Sequence, residues 1–138
     1  MLLGTKEYSN RSVRNVRLNF PENFQELSDL SSLYFYLEKE TVRDIEFPYL
    51  LASPTEIPEI SAKSVKLPII HSKAYNMNQN YIRFTGEIRD HLYSPQSVTF
   101  LGIGGFFEIW ASRNYNIYRE ITEEYTATHF ESIELHLL

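Results

Sequence analysis

Cysteine is absent from this chain of 138 residues, and glycine and proline are scarce, with five and six residues. Without cysteine the protein can form no disulfide, thiolate nucleophile or zinc–thiolate site. No apolar run approaches the length of a membrane span, and residues 1–6 lack the apolar segment of a signal peptide. We therefore expect a cytoplasmic protein with no membrane partner.

Aromatic residues, in contrast, are abundant, with ten tyrosines and nine phenylalanines. The net charge is −5, but the charge is unevenly distributed along the chain. Residues 1–20 carry Lys6, Arg11, Arg14 and Arg17 against one acid, Glu7, whereas residues 119–138 carry five glutamates and a single arginine. Because salt screens distant charges beyond about 8–10 Å, a basic N-terminal element can bind phosphate although the whole chain is acidic.

The segment Val98–Trp110 predicts a β-hairpin. Apolar and aromatic residues form its two arms, and Gly102, Gly104 and Gly105 lie between them. These glycines also suggest a dinucleotide-binding loop, but Phe107 occupies the third glycine position and a strand pattern follows where a helix should begin. A hairpin turn is therefore the preferred interpretation.

The same order of elements is predicted twice, at a spacing of about 65 residues. Each half contains a strand, a short helix, a strand, a turn and a strand. In the first half these are residues 16–20, 22–30, 33–37, 38–41 and 42–47; in the second they are 81–84, 86–92, 98–101, 102–105 and 106–110. Residues 111–125 predict a further helix. The polar run 76–80 predicts a turn, and the proline-containing segment 48–68 predicts mostly coil. The fold class is mainly β with short helices, α+β.

This pattern resembles the MraZ family of bacterial regulators. The resemblance rests on Phe100-Leu101-Gly102-x-Gly104, on Phe107-Glu108-Ile109-Trp110 and on the following aromatic residue, Tyr115. It implies two tandem swapped-hairpin units of the AbrB/SpoVT type that share a core. We place the first unit at residues 1–52, a proline-containing connector at 53–68, and the second unit, with the C-terminal helix, at 69–138.

The resemblance also implies a homo-oligomeric ring that binds promoter DNA at the nucleoid. In each family repeat an arginine at the end of Asp-x-Lys-Gly-Arg contacts DNA, followed by a strand and a proline. Leu18-Asn19-Phe20-Pro21 matches that strand and proline, so Arg17 takes the arginine position. The Asp, Lys and Gly positions hold Val13, Asn15 and Val16, and Tyr81 replaces the arginine in the second half. The chain thus resembles a diverged member.

The predicted DNA-binding residues are Arg11, Arg14 and Arg17, on a turn that enters a strand. The main alternative is an oligomer of the same fold that has lost DNA binding. A third hypothesis is a β-barrel that binds RNA or a small ligand. In that case the bases would stack on Tyr34, Tyr36, Phe106 and Phe107.

No residue pattern predicts an enzyme. The four histidines are scattered and lack the strong metal-ligand spacings, and nothing resembles a nucleophile elbow. We expect no catalytic residue, no metal and no cofactor.

Overall fold

The computed structural model describes residues 11–13, 16–21, 24–74 and 77–123. In this part of the chain there are nine strands: β1 (Arg11–Ser12), β2 (Arg17–Asn19), β3 (Ser32–Val42), β4 (Ile45–Ser53), β5 (Ser64–Pro68), β6 (Ile70–Ala74), β7 (Met77–Arg83), β8 (Ser97–Gly102) and β9 (Phe107–Ala111). A 3-10 helix spans Gln25–Asp29, helix α1 spans Glu87–His91, and helix α2 covers residues 112–123.

The strands form two antiparallel sheets. The larger sheet has six strands in the order β1-β8-β9-β4-β3-β5, and the smaller has three in the order β2-β7-β6. Leu18 and Ile82 of the small sheet pack in one core with Phe35, Phe100 and Phe107 of the large sheet. Their side chains are fully buried. Successive residues of a strand point to opposite faces, and these residues lie on the faces that the two sheets turn toward each other. The predicted class, mainly β with short helices, is confirmed.

The predicted order of elements occurs in both halves of the chain. β2, the 3-10 helix, β3 and β4 follow one another in the first half, and β7, α1, β8 and β9 do so in the second. The two halves meet where β2 pairs with β7 and β4 pairs with β9. In addition, β1 of the first half pairs with β8, and β5 of the second half pairs with β3.

The register of these pairs is symmetric under exchange of the two halves. Leu18 pairs with Ile82 at the centre of the small sheet, with one pair on either side. In the large sheet the pairs Leu50–Ile109 and Ala52–Phe107 flank the pair Leu51–Glu108 in the same way. The two halves therefore contribute equivalent strands to one core.

Three details of the sequence prediction are wrong. The polar run 38–41 is not a turn: β3 continues to Val42, and Arg43 and Asp44 make the turn with positive φ angles of 49° and 65°. The run stays extended because each of its residues pairs with a residue of β4. Residues 76–80 also predict a turn, but β7 begins at Met77.

The third difference lies in the segment 48–68, which the prolines predict to be mostly coil. β4 extends through it to Ser53, and Ser64–Pro68 form β5 at the edge of the large sheet. An edge strand tolerates a proline because one side of its backbone needs no partner. The predicted hairpin turn after β8 and the helices at 86–92 and 111–125 are confirmed, the last as far as residue 123.

Candidate nucleic-acid interface

The three strands of the small sheet contain no aspartate or glutamate. Their residues include Arg17, Lys73 and Arg83, together with His71. One face of this sheet packs on the core through Leu18 and Ile82. Strand alternation places Arg17 and Arg83 on the opposite, outer face, whereas His71 and Lys73 lie on the same side of the sheet as Ile82. The outer face thus combines two cations with no carboxylate from the strands.

Arg17 lies on this outer face because its neighbour Leu18 points into the core. Its Nε donates to Asn19 Oδ1 and its Nη2 donates to Gln79 Oε1, both at 2.9 Å. The guanidinium carbon also lies 3.8 Å from the centre of the Tyr81 ring, a cation–π contact. Neutral groups thus hold the guanidinium in place and leave its charge uncompensated by these partners.

Arg83 is directly opposite Arg17 in the antiparallel pair of β2 and β7. Side chains of directly opposite residues lie on the same face of a sheet, so the two cations share the outer surface. Arg83 is exposed, whereas Arg17 is half-buried against Tyr81. Like charges in this arrangement destabilise a sheet, and an anion bound between them would remove that repulsion.

The structure separates two of the three arginines predicted to bind DNA, Arg11 and Arg17. Arg17 is on the small sheet, whereas the backbone of Arg11 pairs with Val98 at the edge of the large sheet. Arg14 lies outside the described residues. The structure therefore brings Arg17 together with Arg83 rather than with Arg11 on one sheet.

Sequence reasoning missed Arg83 as a site residue. A signal was present, since Ile82 and Phe84 are both buried and the alternation places Arg83 outward. A second signal was that residues 70–83 include no acidic residue. Neither signal identifies Arg17 as its partner, because the two residues are far apart in the sequence.

Two of the four aromatic residues that suggested base stacking, Tyr36 and Phe107, have other roles. Phe107 is fully buried in the core, and Tyr36 is only 2% exposed. The Tyr36 hydroxyl accepts a hydrogen bond of 2.6 Å from the backbone N–H of Ile57. Neither ring is available to stack on a base.

The second face of the large sheet is aromatic and acidic. Tyr49 and Trp110 stack with their ring centres 4.9 Å apart, and Tyr118 of α2 packs on Trp110. Burial raises the pKa of Glu108 there; the hydrogen bond from Trp110 Nε1, 2.9 Å long, lowers it in part, and Glu40 raises it further. This face would repel phosphate, so the small sheet is the better candidate interface.

The described ranges contain no group of three or more His, Cys, Asp or Glu residues that could hold a metal ion. Among the same residues, no helix is both long and apolar enough to cross a membrane. Comparisons of the chain with protein-family models, with curated proteins and with solved structures found no match.

Proposed function

We propose that this protein is a DNA-binding transcriptional regulator of the MraZ type. The observation that carries the proposal is the outer face of the small sheet, where Arg17 and Arg83 are adjacent and the strands contain no acid. Phosphate contacts supply most of the affinity in protein–DNA complexes, and arginine makes them with several donors.

Arg17 is well placed to bind an anion. A guanidinium has five N–H donors. Two of these five donors bond to Asn19 and Gln79, and the two bonds hold the side chain in one orientation. A held side chain loses less conformational entropy when a phosphate binds, which favours affinity.

The proposed protein acts as a homo-oligomeric ring of two AbrB-type units per chain, located at the nucleoid in the cytoplasm. The exchange-symmetric register of the two halves supports tandem units, since equivalent strands pair across the centre of each sheet. A single pair of arginines is a weak site. Repetition around an oligomer would raise the effective affinity by multivalency.

The test is a binding measurement on DNA upstream of the protein's own gene, over a range of salt concentrations. Wild type should lose affinity as salt rises, and Arg17→Ala should bind more weakly with a salt slope smaller by about one phosphate contact. Lys39→Ala is the matched control, because it removes an exposed cation that pairs with Glu46 on the other sheet. Salt-independent binding, or unchanged binding by Arg17→Ala, would contradict the proposal.

One observation favours the alternative, an oligomer of the same fold without DNA binding. Under exchange of the halves Tyr81 takes the place of Arg17, so the motif arginine is present in only one half. This alternative predicts that wild type forms an oligomer in solution but binds no duplex even at low salt. Measurement of the oligomer mass in parallel with the binding assay distinguishes the two.

A further inference from the structure

The second half of the chain contains a hairpin that the first half lacks. Equivalent backbone hydrogen bonds fix the correspondence: Val13 N–H donates to the Gln96 carbonyl and Ile69 N–H to the Ser31 carbonyl, both at 2.9 Å. Residues Phe20 and Phe84 correspond in the same way. Six residues, 14–19, lie between these points in the first half, against fourteen, 70–83, in the second.

The additional residues form a two-stranded ribbon, defined here as residues 70–74 and 77–81. β6 pairs with residues 77–81 of β7, whereas β2 pairs only with residues 81–83. Tyr81 and Asn80 each have a described backbone neighbour on both sides, since the Asn80 carbonyl accepts a hydrogen bond of 2.9 Å from the Phe20 N–H. From the pair Ser72–Gln79 onward the ribbon extends past the β2 segment for three residue pairs, roughly 10 Å at about 3.4 Å per residue.

The base of the ribbon is fixed to the rest of the fold. His71 Nε2 donates to the Leu30 carbonyl at 2.7 Å, and Asn80 Nδ2 donates to Ser28 Oγ at 3.2 Å. An isolated two-stranded ribbon is barely stable in water, so these bonds give the projection a defined direction. The ribbon carries Lys73 and no acidic residue.

Gln79 connects this ribbon to the arginine pair. It lies on the same face as Tyr81, two residues along β7, and its Oε1 accepts from Arg17 Nη2. That oxygen has a second lone pair, and the Nε2 group can donate two hydrogen bonds. If Arg17 binds a phosphate of the DNA backbone, the Gln79 amide lies beside the DNA groove that this phosphate borders.

We propose, on the basis of the DNA-binding function proposed above, that the ribbon enters the major groove of duplex DNA and that Gln79 reads adenine. The major groove is about 12 Å wide and admits a two-stranded β-ribbon. A glutamine amide makes two hydrogen bonds to adenine, accepting from N6 and donating to N7. The arginine pair anchors the base of the ribbon on a backbone phosphate.

The test compares the affinity of wild type, Gln79→Ala and Gln96→Ala for short duplexes of alternating dA·dT and of alternating dG·dC. Gln96→Ala is the matched control, since it removes an exposed glutamine that lies outside the small sheet and should leave both affinities unchanged. Wild type should prefer dA·dT by about tenfold, and Gln79→Ala should lose that preference by weakening dA·dT alone. Replacing adenine by 7-deazaadenine, which lacks N7, should lower the affinity of wild type to that of Gln79→Ala. The affinity of Gln79→Ala itself should not change.

Equal weakening of both duplexes by Gln79→Ala would show that Gln79 only positions Arg17, and it would overturn the base-reading role. Insensitivity of wild type to 7-deazaadenine, or stronger binding to single-stranded RNA than to either duplex, would overturn entry into the major groove. In these cases DNA binding that depends on Arg17 still supports the proposed function. Failure of wild type to bind any duplex at low salt overturns both proposals.

Discussion

Arg83→Gln should make the free protein more stable and its complex with DNA weaker. The change removes one of two cations that lie directly opposite each other in the small sheet. Two unit charges about 5 Å apart in water repel by about 0.8 kcal/mol. This is an upper value, because Arg17 leans over Tyr81 and bonds to Gln79, two residues farther along β7.

Salt separates this electrostatic effect from other effects of the substitution. At 0.01 M salt the Debye length is about 30 Å, and the gain in the free energy of unfolding should be at most about 0.7 kcal/mol. At 0.15 M the Debye length is about 8 Å, and the gain should fall to at most about 0.4 kcal/mol. Urea unfolding of wild type and variant at the two salt concentrations measures the difference.

Lys39→Gln is the control, since it removes a cation from an exposed ion pair with Glu46. It should lower the free energy of unfolding by 0 to about 1 kcal/mol and leave DNA binding unaltered. The reasoning would be refuted if Arg83→Gln lowered stability at low salt, or if its stabilisation grew with salt. Unchanged DNA affinity of Arg83→Gln would remove this residue from the interface.

Two further predictions concern the second face of the large sheet. Burial raises the pKa of Glu108 above its ordinary value of 4.5, so the native state holds the proton more tightly than the unfolded state. The free energy of unfolding should therefore fall as pH rises above about 4.5. Each unit of difference between the native and unfolded pKa of Glu108 contributes about 1.4 kcal/mol to this decline. Glu108→Gln should remove the decline, as measured by urea titrations. Tyr36→Phe should cost about 1–3 kcal/mol in the free energy of unfolding, because the N–H of Ile57 then loses its acceptor.

If the stability of Glu108→Gln still declines as pH rises, groups other than Glu108 cause the decline. For the tyrosine variant, Tyr34→Phe is the matched control, since the Tyr34 ring is half-buried and lies 5.4 Å from Lys66 Nζ. Equal stability of Tyr36→Phe and wild type would mean that water replaces the hydroxyl as acceptor.

Local patterns in the sequence predicted several elements well. Alternating and continuous apolar runs identified β8 and β9, and the glycines between them identified the turn, in which Ile103 N–H bonds to the Phe106 carbonyl. Helical spacing identified α1 and α2. These signals succeed because they depend on contacts within a few residues of each other.

The turn between β3 and β4 could not be predicted in this way. The polar run 38–41 has turn composition, but each of its residues has a partner in β4, and Lys39 bonds to Glu46 at 3.0 Å. The chain reverses instead at Arg43 and Asp44, where two residues adopt positive φ. β5 was missed for a similar reason, since its pairing with β3 joins two distant segments.

The amino-acid sequence by itself determined the repeated order of strand, short helix and two strands, the basic N-terminal segment and the absence of thiol chemistry. It also placed Arg17 on the exposed side of a strand. Only the tertiary structure decided which cation lies beside it, because the register of β2 on β7 sets Arg83 opposite Arg17 and leaves Arg11 on the other sheet. That register results from burying Leu18 and Ile82 in a common core, and local sequence patterns carry no information on such a distant pairing.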